Sequence, residues 1–92
     1  MSEARRPVTI VNQRGLHARA SAKFVGMVAE LPETTRVRVT HGANEAGGGS
    51  ILGLMMLGAA RGDEIEIIVS GDDCETVADD LRTLVASGFG EE

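Results

Sequence analysis

The order of apolar and polar positions along the chain predicts alternating strands and helices. Residues 8–11 are rich in β-branched side chains and predict a first strand, and residues 12–15 have the composition of a turn. From about Leu16 the apolar positions recur every three or four residues, which predicts an amphipathic helix that ends before Pro32. Its apolar positions are Ala20, Phe24, Met27, Val28 and Leu31.

Strict alternation returns in the middle of the chain. Residues 35–40 predict a second strand, with Val37 and Val39 on one face and arginines on the other. A short, weak third strand is predicted at residues 44–46. Residues 64–70 give the strongest strand pattern, with Ile65, Ile67 and Val69 on a single face.

Two further helices are predicted from their ends. Ser50 is suited to cap the start of a short apolar helix that Gly58 closes, with Leu54 and Leu57 facing the sheet. The last helix is expected to begin at Asp72, with Glu75 completing a capping box, and to end near Gly88. Its buried stripe consists of Val77, Leu81, Leu84 and Val85.

This element order predicts an α+β fold. Three helices would cover one face of a four-stranded antiparallel sheet, forming a two-layer, open-faced sandwich. Because chains divide into separate domains only at greater lengths, we expect residues 1–92 to form a single domain. Aromatic residues make up only 2% of the chain, so the core must be aliphatic.

Charge and cysteine content narrow the classes of partner. A net charge of -5 disfavours binding to nucleic acid, and no apolar run approaches the ~20 residues of a spanning helix. Cys74 is the only cysteine, so the chain alone cannot form a disulfide or a thiolate-rich metal site; we expect it to be buried. We therefore expect a cytoplasmic, monomeric protein with protein partners and no cofactor.

His17 stands where the first turn meets the first helix. Backbone amides at a helix start lack intrahelical partners and carry the positive end of the helix dipole, so they favour an anion such as a phosphoryl group. The same potential disfavours the imidazolium and leaves a neutral, nucleophilic ring, although the sequence leaves open which nitrogen attacks. Arg19 could bind two phosphoryl oxygens at once, and Arg14 is a weaker candidate for a second cation.

Ordinary interpretations compete with these roles. On position and composition alone, a solvent-exposed histidine without chemistry is the favoured interpretation of His17. Ser21 is more often a neutral surface or helix-packing residue than a nucleophile. His41 follows the second strand with no partner at metal-ligand spacing, so we expect a solvated loop residue without a role.

Two segments carry a family resemblance. The run GLHARASAKFV at residues 15–25 resembles the active-site segment of HPr, the histidine phosphocarrier family of the bacterial phosphoenolpyruvate-dependent phosphotransferase system. Residues 50–58 resemble the regulatory-serine helix of that family, and the element order agrees with it. Ala20 stands where many members have proline, which should alter the rigidity of the helix start more than the chemistry. The HARAS form resembles the nitrogen-related branch.

The resemblance implies that enzyme I phosphorylates His17 and that an enzyme IIA-type protein then accepts the phosphoryl group. Arg19 would stabilise that group, and a serine kinase/phosphorylase would act on Ser50. Leu52 and Met55 are expected on the side of the short helix away from the sheet. By resemblance, the partners dock on Ile51, Leu52 and Met55; the alternative, about as good for Ile51, is that these are core or ordinary surface residues.

Two other functions can be compared with the carrier. In a regulatory binding module, phosphorylation would only switch which protein docks. An enzyme with His17 as general base is disfavoured, because 92 residues leave little room to enclose a substrate.

Overall fold

A computed structural model describes residues 2–91. Its antiparallel sheet has the strand order β1-β4-β2-β3, with β1 at Glu3–Thr9, β2 at Arg36–His41, β3 at Asn44–Gly47 and β4 at Glu64–Ser70. The helices are α1 (Ala18–Ala29), α2 (Ile51–Met56) and α3 (Cys74–Ala86), followed by a 3-10 turn at Gly88–Gly90. The predicted α+β sandwich is confirmed.

The register of the central strand β4 explains why the helices cover one face. Val69 lies between Ala4 of β1 and Val37 of β2, and Ile67 lies opposite Val39. These side chains are nearly inaccessible to solvent and form the core with the apolar sides of the helices. The strict alternation of residues 64–70 therefore predicted β4 with its exact limits.

The face of the sheet away from the helices is covered by charges. Ile68 points to this side of β4, yet it is only 2% exposed. Arg5 and Arg38 are its partners on the two neighbouring strands. Both arginines form ion pairs with carboxylates of the same face, namely Glu3, Glu45 and Glu66.

The predicted position of the first strand was wrong, because β1 begins at Glu3 and ends at Thr9. Ala4 and Val8 enter the core, but Arg6 lies on the same face between them and hides the alternation. Its guanidinium binds Glu75 and Asp79 of α3 at 2.5 and 2.8 Å. A proline within β1 is tolerated because β1 is an edge strand.

The predicted capping box of the last helix was also wrong. The residue before α3 is Asp73, which has a left-handed backbone (φ 61°) and makes no capping bond with its side chain. Glu75 is instead turned toward β1, where it accepts the hydrogen bond from Arg6. Leu81 and Val85 of the predicted stripe are buried, whereas Val77 and Leu84 are only partly buried against the core and Ala78 takes a buried position that was not predicted. Cys74 is buried, as expected.

Both other helices agree with their predicted patterns. Phe24 of α1 is buried, and the helix ends three residues before Pro32. The hydroxyl of Ser50 accepts a hydrogen bond from the amide of Gly53 at 2.9 Å, which confirms the predicted cap of α2. Leu54 and Leu57 are buried as expected. Within residues 2–91, the helices are too short or too polar to cross a membrane.

His41 is not the solvated loop residue that the sequence suggested. It ends β2, is half-buried and has its Nδ1 2.8 Å from the carbonyl oxygen of Leu57. Its Nε2 lies 3.3 Å from the carboxylate of Asp63. His41 therefore connects the end of α2 to the turn before β4, a link between distant segments that local sequence does not reveal.

Candidate functional site

His17 caps the start of α1 with its own side chain. Its backbone is extended, and the amide of Arg19 donates to its Nδ1 at 3.3 Å. The carbonyl of His17 accepts the first hydrogen bond of the helix, from Ser21 at 2.9 Å. The lone pair of Nδ1 is thereby directed at the amides of the first helical turn, where an anion is favoured.

The loop before His17 is held against the segment that follows α2. The amide of Leu16 donates to the carbonyl oxygen of Ala59 at 3.1 Å. Gly15 has φ 64°, and a Cβ atom there would lie only 2.5 Å from the same oxygen. Glycine is thus required at this position both for its backbone angle and for space.

Glu91 approaches His17 from the far end of the chain. Its Oε2 lies 2.6 Å from Nε2 of His17, and its Oε1 accepts a hydrogen bond of 3.2 Å from the Asn12 amide. The two side chains of the His17–Glu91 pair are 15% and 20% exposed. A carboxylate can only accept, so the hydrogen-bond pattern assigns the ring hydrogen to Nε2 and leaves Nδ1 unprotonated.

The carboxyl of Glu91 is charged at neutral pH. Burial acts to raise the pKa of Glu91, but hydrogen bonds from His17 and Asn12, together with the nearby positive charge of Lys23, hold that pKa below its ordinary value. The ring of His17 therefore lies between a negative carboxylate at Nε2 and the positive end of α1 at Nδ1.

Arg19 and Arg14 flank His17 in the sequence and are both exposed. Arg19 lies in the first turn of α1 and Arg14 in the preceding loop. Within residues 2–91 neither guanidinium forms an ion pair, so both can turn toward an added anion. The same part of the chain contains no cluster of ligands able to hold a metal ion.

A patch of apolar side chains on α2 is exposed to solvent, and we call it the α2 surface. Leu52 is 67% exposed and Met56 75%. Ile51 and Met55 are 41% and 40% exposed and complete this surface. The three residues on which partners are expected to dock, Ile51, Leu52 and Met55, are therefore accessible to solvent. Because α2 packs against α1, this surface belongs to the same helical layer as the helix that His17 caps.

The family model of the PTS HPr component phosphorylation site matches residues 4–87. The chain belongs to the HPr family. It is 36% identical to the phosphocarrier protein HPr of Cupriavidus necator over 94% of each chain. It is also 34% identical to the phosphocarrier protein NPr of Shewanella violacea, over 99% of this chain and 98% of the other.

Solved HPr structures share the fold. The crystal structure of HPr-C-His from Thermoanaerobacter tengcongensis superposes with a TM-score of 0.86 and 34% identity, and the match covers 100% of this chain and 99% of the other. The resemblance inferred from residues 15–25 and 50–58 is confirmed. As a member of the HPr family, the chain is a phosphocarrier protein of the phosphotransferase system.

Sequence reasoning missed three residues of this HPr site. Asn12 was predicted only as part of the turn at residues 12–15, and nothing in that segment indicates a hydrogen bond to a carboxylate. Glu91 is 74 positions from His17, and Lys23 is 66 positions from Phe89, whose carbonyl it binds. Local patterns carry no signal for contacts over such separations.

Proposed function

We propose that His17 accepts a phosphoryl group on Nδ1 from phosphorylated enzyme I and passes it to an enzyme IIA-type protein. The observation that carries this proposal is the placement of Nδ1 at the start of α1, with its lone pair exposed to the helix amides. The other nitrogen, Nε2, is already engaged by Glu91. Of the two ring nitrogens, Nδ1 is therefore the nucleophile.

Phosphoryl transfer depends mainly on positioning and on neutralising the charge of the equatorial oxygens. When Nδ1 attacks, these oxygens replace it as acceptors for the amides of the first turn. The guanidinium of Arg19 supplies two parallel donors for the same oxygens, and Arg14 adds a second cation from the loop. The partner proteins contribute the phosphoryl donor and the acceptor.

The α2 surface is the docking surface for enzyme I and for the acceptor. Exposed apolar patches of this kind mark protein interfaces, and methionine adapts to differently shaped partners. Met55 and Met56 are therefore suited to a carrier that must bind two proteins in turn. Ile51 and Leu52 extend this surface toward the start of α2.

Ser50 is the site at which a serine kinase/phosphorylase regulates docking. Its hydroxyl is exposed at the start of α2, next to Ile51 and Leu52 of the α2 surface. A phosphate there would add a charge of about -1.5 to -2 beside apolar side chains that a partner must cover. Phosphorylation of Ser50 would therefore weaken docking without unfolding the helix, because a helix start accepts negative charge.

A regulatory role uses the same residues and is favoured by the likeness to relatives named NPr, which extends over nearly the whole chain. Sugar transport and regulation differ in the protein that receives the phosphoryl group. Transfer from the phosphorylated protein to the enzyme IIA of a sugar permease would indicate transport. Binding that depends on phosphorylation but leads to no such transfer would indicate regulation.

The proposal is tested by incubating the chain with purified enzyme I, magnesium and labelled phosphoenolpyruvate. We expect acid-labile, base-stable label on the wild type and on His41→Ala, which removes the other of the two histidines. His17→Ala should take up no label. Label that persists in His17→Ala would contradict the assignment.

A further inference from the structure

We propose that Glu91 is a positioning residue for the phosphoryl chemistry of His17. Its carboxylate holds the ring with Nδ1 facing the start of α1, and it balances the positive charge that the ring gains on phosphorylation. This inference rests on the proposed function and adds a residue to the transfer step.

The geometry fixes both the tautomer and the rotation of the ring. Nε2 of His17 lies 2.6 Å from Oε2 of Glu91, while Nδ1 lies 3.3 Å from the amide of Arg19. A shift of the hydrogen to Nδ1 would break both interactions. The carboxylate of Glu91 would then face the lone pair of Nε2, and the amide N–H of Arg19 would face the N–H of Nδ1. Glu91 thus keeps Nδ1 available as a nucleophile.

The transfer step places new charge on the ring beside Glu91. The lone pair of Nδ1 forms a bond to phosphorus, while the bond from phosphorus to the donor atom of enzyme I breaks and its electron pair stays with the donor. The ring retains its hydrogen on Nε2 and becomes positively charged. The negative carboxylate stabilises this charge as it develops, as the aspartate of a Ser-His-Asp triad does for its histidine. On onward transfer the electron pair returns to Nδ1.

Glu91 is itself held in place by several contacts. Asn12 directs its amide hydrogens to Glu91 and to the carbonyl of Gly15, at 3.2 and 2.8 Å. The oxygen of this amide is buried and has no hydrogen-bond partner among residues 2–91. Both hydrogens of the amide are thus used to hold the carbonyl of Gly15 and the carboxylate of Glu91.

The segment that carries Glu91 is anchored in the core. Phe89 is 1% exposed, and its carbonyl oxygen accepts a hydrogen bond of 2.6 Å from Lys23 of α1. The amide of Glu91 donates to Gly88 and closes the 3-10 turn. Among residues 2–91, the charged or titratable groups that act on Glu91 are His17 and Lys23.

The test compares Glu91→Ala and Glu91→Gln with the wild type and with Glu33→Gln, which changes the same charge in an exposed turn away from His17. Phosphorylation rates are measured with enzyme I and phosphoenolpyruvate, and the tautomer of His17 is followed by 15N NMR of the ring. We expect Glu91→Ala to slow phosphorylation by about 10- to 100-fold, by analogy with carboxylates that orient metal-binding histidines. Its ring should also lose the preference for hydrogen on Nε2.

Glu91→Gln keeps an acceptor for Nε2 but removes the charge. It should preserve the tautomer and show a rate between those of the wild type and Glu91→Ala, while Glu33→Gln should match the wild type. Wild-type rates in both Glu91 variants would contradict the positioning role. A slow Glu91→Ala with unchanged ring signals would also contradict it, because the effect would not act through the ring.

Failure of the proposed function gives a different result, since the wild type itself would then remain unlabelled. If Glu91→Ala does not fold, Glu91→Gln decides between the outcomes by its rate alone. A reduced rate supports the role of the charge, and an unchanged rate overturns it.

Discussion

Lys23 donates a hydrogen bond of 2.6 Å from its Nζ to the carbonyl oxygen of Phe89, so α1 holds the segment that brings Glu91 to His17. Lys23 is the only lysine of the chain. Lys23→Met keeps the aliphatic stem but removes this donor, and we expect a loss of about 1 kcal/mol in the free energy of unfolding.

The same variant should expose the 3-10 turn to solvent exchange. Hydrogen exchange at the amide of Glu91 is expected to accelerate, because the bond of this amide among residues 2–91 is to Gly88 in the same short turn. Arg61→Met removes a cation from an exposed turn and serves as control. Equal exchange rates in Lys23→Met and the control would show that Lys23 does not anchor the segment.

Replacement by alanine should have opposite effects on the stability of the fold at Gly15 and at Gly26. At Gly15 the added Cβ meets backbone at 2.5 Å and φ is 64°, so Gly15→Ala should destabilise the fold by more than about 1 kcal/mol and displace His17. At Gly26 nothing lies within 4 Å and the residue is in the middle of α1. Gly26→Ala should therefore stabilise by roughly 0.5–1 kcal/mol. Denaturant unfolding measures both, and equal effects would contradict this account of the loop.

Ser50 combines a structural cap with the proposed regulation, and two substitutions separate them. Ser50→Ala removes the cap of α2 and should cost about 1 kcal/mol in thermal or chemical unfolding. Ser50→Asp keeps a capping side chain and adds charge, so it should preserve stability but weaken binding to enzyme I in a titration. If Ser50→Asp binds as tightly as Ser50→Ala, charge at this position does not regulate docking.

A substitution at Leu52 tests whether the α2 surface binds enzyme I. Because this side chain is 67% exposed, Leu52→Glu should change stability by less than about 0.5 kcal/mol, yet it should reduce the affinity for enzyme I measured by calorimetry. Thr76→Glu places the same charge on the exposed side of α3 and is the matched control. Equal affinities for enzyme I in the two variants would reject the α2 surface as the docking site.

The ion pairs of Arg6 predict an acid-dependent contribution to stability. A hydrogen bond from Arg6 holds the pKa of Asp79 below its ordinary value of 3.8. A carboxyl group whose pKa is lowered by folding stabilises the fold at pH values above its ordinary pKa. This stabilisation is lost as the pH falls through the lowered pKa of the folded state. Arg6→Met should thus be less stable than the wild type at pH 7, and the difference should shrink below about pH 4. Unfolding curves at both pH values check this; a difference independent of pH would exclude the linkage.

The fold could be predicted wherever burial imposed a clear period on the sequence. The limits of β4 were predicted correctly from the alternation of Ile65, Ile67 and Val69. The start of α2 was predicted correctly from the capping residue Ser50. The prediction was wrong where tertiary contacts override local pattern. Arg6 occupies a core-facing position of β1 because Glu75 and Asp79 on α3 neutralise it, and no property of residues 3–9 indicates this.

Only those residues of the site that lie close to His17 in the sequence could be predicted. His17 and Arg19 follow from the motif and from the start of α1, since both depend on neighbouring residues. Glu91 reaches His17 only after α3 has returned the chain across the sheet and Phe89 has entered the core. His41 was misjudged for the same reason, because its partners Leu57 and Asp63 lie on other segments.

Whether Nδ1 of His17 carries the phosphoryl group is tested most directly by 31P and 15N NMR of the 15N-labelled protein after phosphorylation by enzyme I. We predict phosphorus–nitrogen coupling to Nδ1 of His17, with the hydrogen retained on Nε2. Phosphorus bound to Nε2 of His17, to His41 or to Ser50 under these conditions would contradict it.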